Sequence, residues 1–528
     1  MTKYLLSRVV RGIFSVIVVV LLVMLLVYSL VDRNDIFMND PMYSKKQAND
    51  RIVYTYDRWE AYGYLDYVPY ADYLKELVAA GEITEEESLR MAAIGYTAEE
   101  DAPEVAAGVQ RFTQYYESKG YQILRLDALK QNSTSLRNGG AQALFAYKDK
   151  PIVWRMANFF GNLIHIDNVH YVEEEIENRG ISFTLFDPVY NPDGSHKVFS
   201  PAILGTGTEH KYLLYFDSQF PFIHQNLIEL RLGASYSVNS GIDVFKTMTQ
   251  TQGSIVPSPV TWPTGKTEEV SYDLHSATYA PNTFSSGRSF YTSRFTDDYT
   301  SFSTVKNSYS KVGFSFVIGI ISVILSYFVG VPLGVAMARN KDKLVDKLGT
   351  VYIVFIIAVP SLAYIFMFRA LGKLAGLPTS FDIDTVSTVM YILPIISLAL
   401  PSISALMKWI RRYMIDQLNS DYVKFARASG LSEGEIFSGH ILKNAIIPIV
   451  HGIPGAVFGA LAGAIITESV YSVPGAGGML VRAINSYDNG VIVGLTMFYA
   501  TLSVISLILG DILMALVDPR ISYTSKAR

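Results

Sequence analysis

The chain has 528 residues, half of them apolar, with 35 Tyr, no Cys and a formal net charge of −4. Without Cys there is no disulfide framework, thiolate metal site or thiol nucleophile, and the basic residues form no clustered face of the kind that nucleic acid requires. The charge is uneven: residues 32–310 carry 24 Lys/Arg and 36 Asp/Glu, the remainder 20 and 12, so an acidic region is set inside a basic, apolar one.

Near the N-terminus, Ile13 to Val31 is free of charge and, at 1.5 Å per residue, matches the roughly 30 Å hydrocarbon core of a bilayer. It is longer than a signal-peptide apolar region and is followed by Asp32, Arg33, Asn34 and Asp35, not by a small-residue cleavage site, so a retained membrane helix is expected.

Residues 32–311 are too long for a loop. Between Tyr70 and Lys130 amphipathic helices are expected, one opened by a capping-box pattern, Thr84 with Glu87. From Pro151 onward, runs such as IVW, ISFTLF and YLLYF alternate with turn signals such as NPDG, which predicts strands and loops. The expectation is a folded domain of mixed α/β type. Its 23 Tyr suit either a peptide-binding surface or an ordinary Tyr-rich core and surface, since no spacing singles out a groove.

Motifs for catalysis are weak. Gly265, Lys266 and Thr267 end like a phosphate loop, but Val260 stands where its first Gly is needed. His165, Asp167 and His170 lack a third ligand at metal spacing. The run Gly475, Gly477, Gly478 follows no expected strand and reads as a turn, and Glu173, Glu174, Glu175 and Glu177 read as a solvated face. No catalytic, cofactor-binding or metal-ligating residue is assigned.

Five further spans are expected: Val312 to Ala338, Leu348 to Leu371, Val389 to Met407, Ile446 to Val470 and Ile492 to Val517. Gly455, Gly459 and Gly463 form a small-residue stripe that predicts close helix packing in the fifth. Asp511 is an ionisable residue inside the sixth, open to two readings: an interhelical hydrogen-bond partner or a proton relay. Sixteen basic residues flank one side of the six spans, while the opposite short loops hold only Arg369, Lys373 and Arg482. The positive-inside rule therefore puts both termini and the loop 408–445 in the cytoplasm, and residues 32–311 outside. The expected division is 1–31 (tail and first helix), 32–311 (extracellular domain) and 312–528 (helices 2–6).

Within the cytoplasmic loop, Ser420 is placed to cap a helix from Asp421 to Ser429. Tyr422, Phe425, Ala426 and Ser429 fall on one face of it, and Asp421, Lys424 and Arg427 on the other. Gly430 supplies the stop, and Ser432 with Glu435 makes a capping box that opens a second helix. The aromatic face suits a protein partner, and an interfacial helix lying on lipid fits the residues equally.

The string DYVKFARASGLSEGEIFSGHILKNAIIP (421–448) resembles the cytoplasmic "EAA" loop of the oligopeptide and dipeptide branch of ABC importer permeases. GVPLG (330–334), TESVYSVPGAGGMLVRAI (467–484), the terminal DPR (518–520) and LGASYSVNSGIDV (232–244) resemble further segments of the same family, in family order. The resemblance is closest to the B-type subunit, and the long insertion is similar to the large Opp/Ami permeases of streptococci. It implies a polytopic, all-α membrane protein with six transmembrane helices of the type I importer permease fold, the large mixed α/β domain lying between helices 1 and 2. It further implies residence in a Gram-positive cell membrane. The implied role is half of an oligopeptide pore, beside a second permease subunit (C/D-type), two cytoplasmic ATPases that bind ATP and Mg, and an extracellular peptide-binding lipoprotein. This chain itself then binds no cofactor. The resemblance assigns ATPase coupling to Asp421, Tyr422, Lys424, Phe425, Ala426, Arg427, Gly430, Leu431 and Glu435. Lys424 stands where the general importer motif has Glu. A surface receptor or membrane-tethered enzyme would explain the insertion but not five further spans. A secondary transporter would explain the spans, yet no hydropathy repeat is present.

Overall fold

The computed structural model describes residues 2–46, 48–95, 97–126, 129–131, 135–137, 144–170, 179–186, 199, 201–208, 212–216, 223–225, 227–236, 243–249, 258–261, 267–270, 310–382, 387–462 and 464–517. The NPDG turn, the glutamates at 173–177, Gly265, Lys266, Gly463 and the DPR triplet lie outside these residues.

Helix α1 (Thr2–Leu30) carries the charge-free run and leads into α2 (Pro41–Lys45) and α3 (Ala48–Ala61). Strand β1 (Leu65–Pro69) follows, then α4 (Tyr70–Ala79), α5 (Glu85–Met91) and α6 (Pro103–Ser118). Next come β2 (Gln122–Arg125), the hairpin β3 (Leu129–Gln131) with β4 (Ser135–Arg137), and β5 (Leu144–Asp149). The Thr84 capping box forms, Glu87 N–H donating to Thr84 Oγ1 and Thr84 N–H to Glu87 Oε2. The helical stretch stops earlier than Lys130: Gly120 at φ +79° turns the chain into strands. β1, β5 and β2 form an antiparallel sheet in that order, covered by α4–α6 through Tyr70, Leu74, Phe112 and Leu144. Phe37, Trp59, Tyr64, Tyr67, Phe145 and Tyr236 make a second, aromatic core. Most of the buried aromatic rings here are tyrosines, which gives the Tyr-rich composition a packing role.

The IVW run, expected as a strand, is the first turn of α7 (Ile152–Gly161). Its residues bury with helical spacing, Met156, Phe159 and Phe160 meeting Val16, Val20 and Met24 of α1. Strand β6 (Ile164–Ile166) precedes β7 (Gly180–Thr184), β8 (Ala202–Thr206), β9 (Tyr212–Phe216), β10 (Ile223–Gln225) and β11 (Ile228–Leu230). A four-stranded antiparallel sheet runs β10-β9-β8-β7, while β6 pairs with β11. ISFTLF and YLLYF thus supply strands as expected. Helix α8 (Val244–Thr249) and the hairpin β12 (Ser258–Thr261), β13 (Thr267–Val270) complete the described part of the insertion.

The apolar bundle resumes with α9 (Lys311–Arg339), α10 (Leu344–Ala358), α11 (Ser361–Leu374) and α12 (Ile392–Leu418), then α13 (Asp421–Ala428). A broken helical run from Glu433 ends in α14 (Ile453–Ala462) and α15 (Ile465–Val470), followed by α16 (Gly477–Asn485) and α17 (Asn489–Val517). Among the described residues five helices are long and apolar enough to cross a membrane, and a sixth crossing exists only if α10 and α11 count as one. Those two meet at 109°, so the segment expected as a span over Leu348–Leu371 is broken near its middle. Pro360 lacks an N–H and forces Val359 into an extended conformation (φ −88°, ψ 128°), which ends α10.

The two described glycines of the expected stripe are not at a tight helix contact. A Cβ on Gly455 would meet only Ser506 Oγ at 3.4 Å and one on Gly459 would meet open space. Close approach occurs on α9 instead, where a Cβ on Gly319 would lie 2.5 Å from Ala460, and ones on Gly330 and Gly334 3.0 Å from Leu406 and Ile410. The last two belong to the GVPLG string, so α9 and α12 pack through it.

The insertion is clamped to the bundle at the start of α17. Asp488 accepts hydrogen bonds from Ser235 Oγ (2.8 Å), Tyr236 N–H (2.9 Å) and Val491 N–H (3.2 Å). A Cβ on Gly490 would overlap the Ala234 carbonyl at 1.9 Å. Only glycine permits this contact.

Candidate coupling site

At the basic end of the bundle α12 passes through Asn419 and Ser420 into α13. Ser420 holds the N-cap position but does not cap with its side chain. Its Oγ donates back to the Gln417 carbonyl (2.6 Å), and its own carbonyl accepts Val423 N–H and Lys424 N–H.

Of the four residues expected on the partner-facing side of α13, only Ala426 is buried. Val423 (0% exposed) and Ala426 point inward against Ala338 of α9 and Ile410 and Met414 of α12, together with Ile436, Ile441 and Ala445. Tyr422 is half-buried at the edge of this core, its hydroxyl donating to Gln417 Oε1 at 2.7 Å. Phe425 is 72% exposed and Ser429 is exposed too. Val423 and Ala426 are both small and fit the crevice between two long helices, and the packed stripe lies away from Phe425.

Gly430 has φ +82°. Leu431 N–H donates to the Ala426 carbonyl and Gly430 N–H to the Arg427 carbonyl, the paired bonds of a Schellman stop. Ser432 and Glu435 form the expected capping box. Two ion pairs stiffen the turn from outside. Lys424 Nζ lies 2.8 Å from Asp421 Oδ1, and Arg427 grips both carboxylate oxygens of Glu433, its Nε 2.7 Å from Oε1. The Lys424 ammonium holds the Asp421 carboxyl below the usual carboxylate range. Lys424 thus has a partner on its own helix. Asp421, Lys424, Phe425, Arg427, Leu431 and Glu435 all face solvent, Tyr422 partly so, and Ala426 does not.

Asp346, almost fully buried, receives Arg411 Nε (2.5 Å) and Nη2 (2.7 Å). This pair ties α10 to α12 just before the site. Sequence reasoning missed it, although a carboxylate at the third residue of a helix that opens an apolar run was a usable signal.

Asp511 is met by α1: Arg8 Nη2 lies 2.8 Å from its Oδ2 and Tyr4 Oη–H donates to it at 3.3 Å. The first and last helices are joined there, which is the interhelical reading. Glu468, within the TESVY string but not singled out by it, is a further buried carboxylate. It accepts Ser315 Oγ–H (2.7 Å), Ala464 N–H (3.0 Å) and Gly477 N–H (2.9 Å) beside a cavity of about 170 Å³ bordered by Ser322, Ser402 and Gly459. His165 pairs across the ribbon with Glu229 and Asp167 is buried, and no cluster of metal-ligating side chains occurs among the described residues.

Residues 330–523 match the family model described as binding-protein-dependent transport system inner membrane component. The oligopeptide transport system permease protein AmiC of Streptococcus pneumoniae is 34% identical over 530 residues, covering 100% of this chain and 99% of that protein. The dipeptide transport system permease protein DppB of Lactococcus lactis is 33% identical over 210 residues, 39% of this chain and 67% of its own length. The DppB protein of Bacillus subtilis is 30% identical over 214 residues, covering 40% and 68%. The chain thus belongs to the permease family of oligopeptide and dipeptide transport systems.

Proposed function

We propose that this chain is the B-type half of the transmembrane pore of an ATP-driven oligopeptide importer. A second permease completes the pore, two cytoplasmic ATPases bind ATP and Mg, and an extracellular lipoprotein delivers the peptide. Residues 408–445 face the cytoplasm and 32–311 the exterior, as the split of flanking basic residues requires. The large insertion then lies where substrate arrives and serves to dock or guide the lipoprotein.

The observation that carries the coupling role is the exposed Phe425 on a short helix whose opposite face is locked to α9 and α12. A ring that fills a cleft on an ATPase would pass its displacement directly to those two helices, because Val423, Ala426 and the Gly430 turn leave α13 no independent freedom. Asp421, Lys424, Arg427, Leu431 and Glu435 are exposed at the same end of the bundle, and Tyr422 partly so. A membrane-anchored receptor or a secondary transporter gives this element no partner.

The test is purification of the tagged chain from membranes with identification of what accompanies it. Two ATPases and a second permease are expected, with peptide uptake lost when either ATPase is deleted. Uptake that survives that deletion overturns the reading. Because the chain lacks Cys, single cysteines at Ser432 and Leu89 test the orientation: an impermeant thiol reagent on intact cells should modify only the second.

A further inference from the structure

The ribbon β6–β11 has two unlike faces. In its register Ile228 pairs with Ile166, Glu229 with His165 and Leu230 with Ile164. Side chains alternate along a strand, so one face consists of Ile164, Ile166, Ile228 and Leu230, each between 42% and 60% exposed. On the other face Glu229 is mostly buried and bonded to Arg231 at 3.2 Å. A surface made only of aliphatic side chains, with its carboxylate turned inward, is the reverse of a water-facing ribbon.

Its position says what covers it. At one end Arg231 N–H donates to the Leu163 carbonyl, and Leu163 and Leu232 pack on Val491 and Leu495 at the start of α17. Just before the ribbon, Phe159 and Phe160 of α7 pack on α1. Three residues at about 3.3 Å each place the far pair only about 10 Å from that anchor, within reach of the polar layer that flanks the hydrocarbon core. Val153 and Trp154 of α7, the helix that leads into the ribbon, are exposed as well, with Lys150 Nζ 4.5 Å from the centre of the Trp154 ring. Trp beside Lys is the pairing favoured at a membrane–water boundary.

We propose that the β6–β11 ribbon and the Val153–Trp154 edge of α7 rest in the headgroup layer of the bilayer, so that the inserted domain is braced on lipid as well as tethered through α1. The inference requires α1 and α17 to cross the membrane but is independent of orientation and of transport.

The experiment uses the full chain in phosphatidylcholine–phosphatidylglycerol vesicles, with single cysteines at Ile166, Leu230 and, as a water-exposed control, Leu89, each carrying a nitroxide. Collision with oxygen is compared with collision with an aqueous nickel chelate. The Ile166 and Leu230 labels should favour oxygen severalfold over the Leu89 label. Equal ratios at all three sites overturn the proposal. So does protection of Ile166 that arises only when the lipoprotein or second permease is added, since the face then belongs to a protein.

Discussion

Val423 and Phe425 stand two residues apart on α13 in opposite surroundings, so together they separate folding from partner binding. Val423→Ala removes fully buried methyl groups; at about 0.8 kcal/mol per buried carbon plus a cavity term this costs about 2 kcal/mol of stability. Phe425→Ala removes a ring that is 72% exposed and should change stability by no more than about 0.5 kcal/mol. Against an ATPase the order reverses. An aromatic anchor in a partner cleft is worth about 2 kcal/mol or more, so Phe425→Ala should weaken association about 30-fold. The assay measures thermal midpoint in detergent, ATPase copurification and peptide uptake at matched expression. Wild-type copurification and uptake in Phe425→Ala would refute the placement of an ATPase on this face. A loss of stability equal to that of Val423→Ala would refute the exposure of the ring.

Nothing lies within 4 Å of a Cβ built on Gly430, so substitutions there act through the backbone alone: uptake should fall in the order Asn, Ala, Val, with Ala costing about 1 kcal/mol, and an order set by side-chain volume would contradict this. In the Arg8–Asp511 pair, a double-mutant cycle on alanine variants should give a coupling energy of about 1–2 kcal/mol in thermal stability, whereas a proton relay would show pH-dependent uptake without coupling. In the inserted domain Arg125 donates to both oxygens of Asp101, at 2.6 and 2.9 Å, and holds its carboxyl below the ordinary value of 3.8. A depressed folded value contributes stability that is present above about pH 4 and lost as pH falls through the folded value. Asp101→Asn should therefore lower the unfolding midpoint at neutral pH and flatten its decline below about pH 4, as read by circular dichroism.

Features decided locally were legible in the sequence. Apolar runs marked the long helices, and Thr84, Ser432 and Gly430 marked helix ends, because caps depend on residues within one turn. Features that depend on what lies opposite were not. The aromatics of α13 marked a partner-facing side, but which residues pack inward, Val423 and Ala426, is decided by the crevice between α9 and α12. Gly455 and Gly459 had the spacing of a packing stripe, while the tight contacts fell to Gly319, Gly330 and Gly334. Arg8 counted as a flanking charge until α1 and α17 brought it to Asp511. Pro360 is a partial exception. Its effect on Val359 is local, but an apolar run of span length outweighed it.

The two missed carboxylates near α16 show what the membrane helices and the insertion share. Glu468 holds the Gly477 N–H at the start of α16 and, through Ser315, reaches α9; a Cβ on Gly475 would strike it at 2.5 Å. Asp488, just past the end of α16, caps α17 and binds Ser235 and Tyr236 of the insertion. Each carboxylate serves several donors, so displacing either end of α16 breaks a group of buried hydrogen bonds at about 1–3 kcal/mol for each N–H or O–H left unpaired. Segment 468–488 is thus bonded at one end to α9 and at the other to the root of the inserted domain. A shift of α9 begun at Val423 and Ala426 would have a bonded route to the insertion through these two knots.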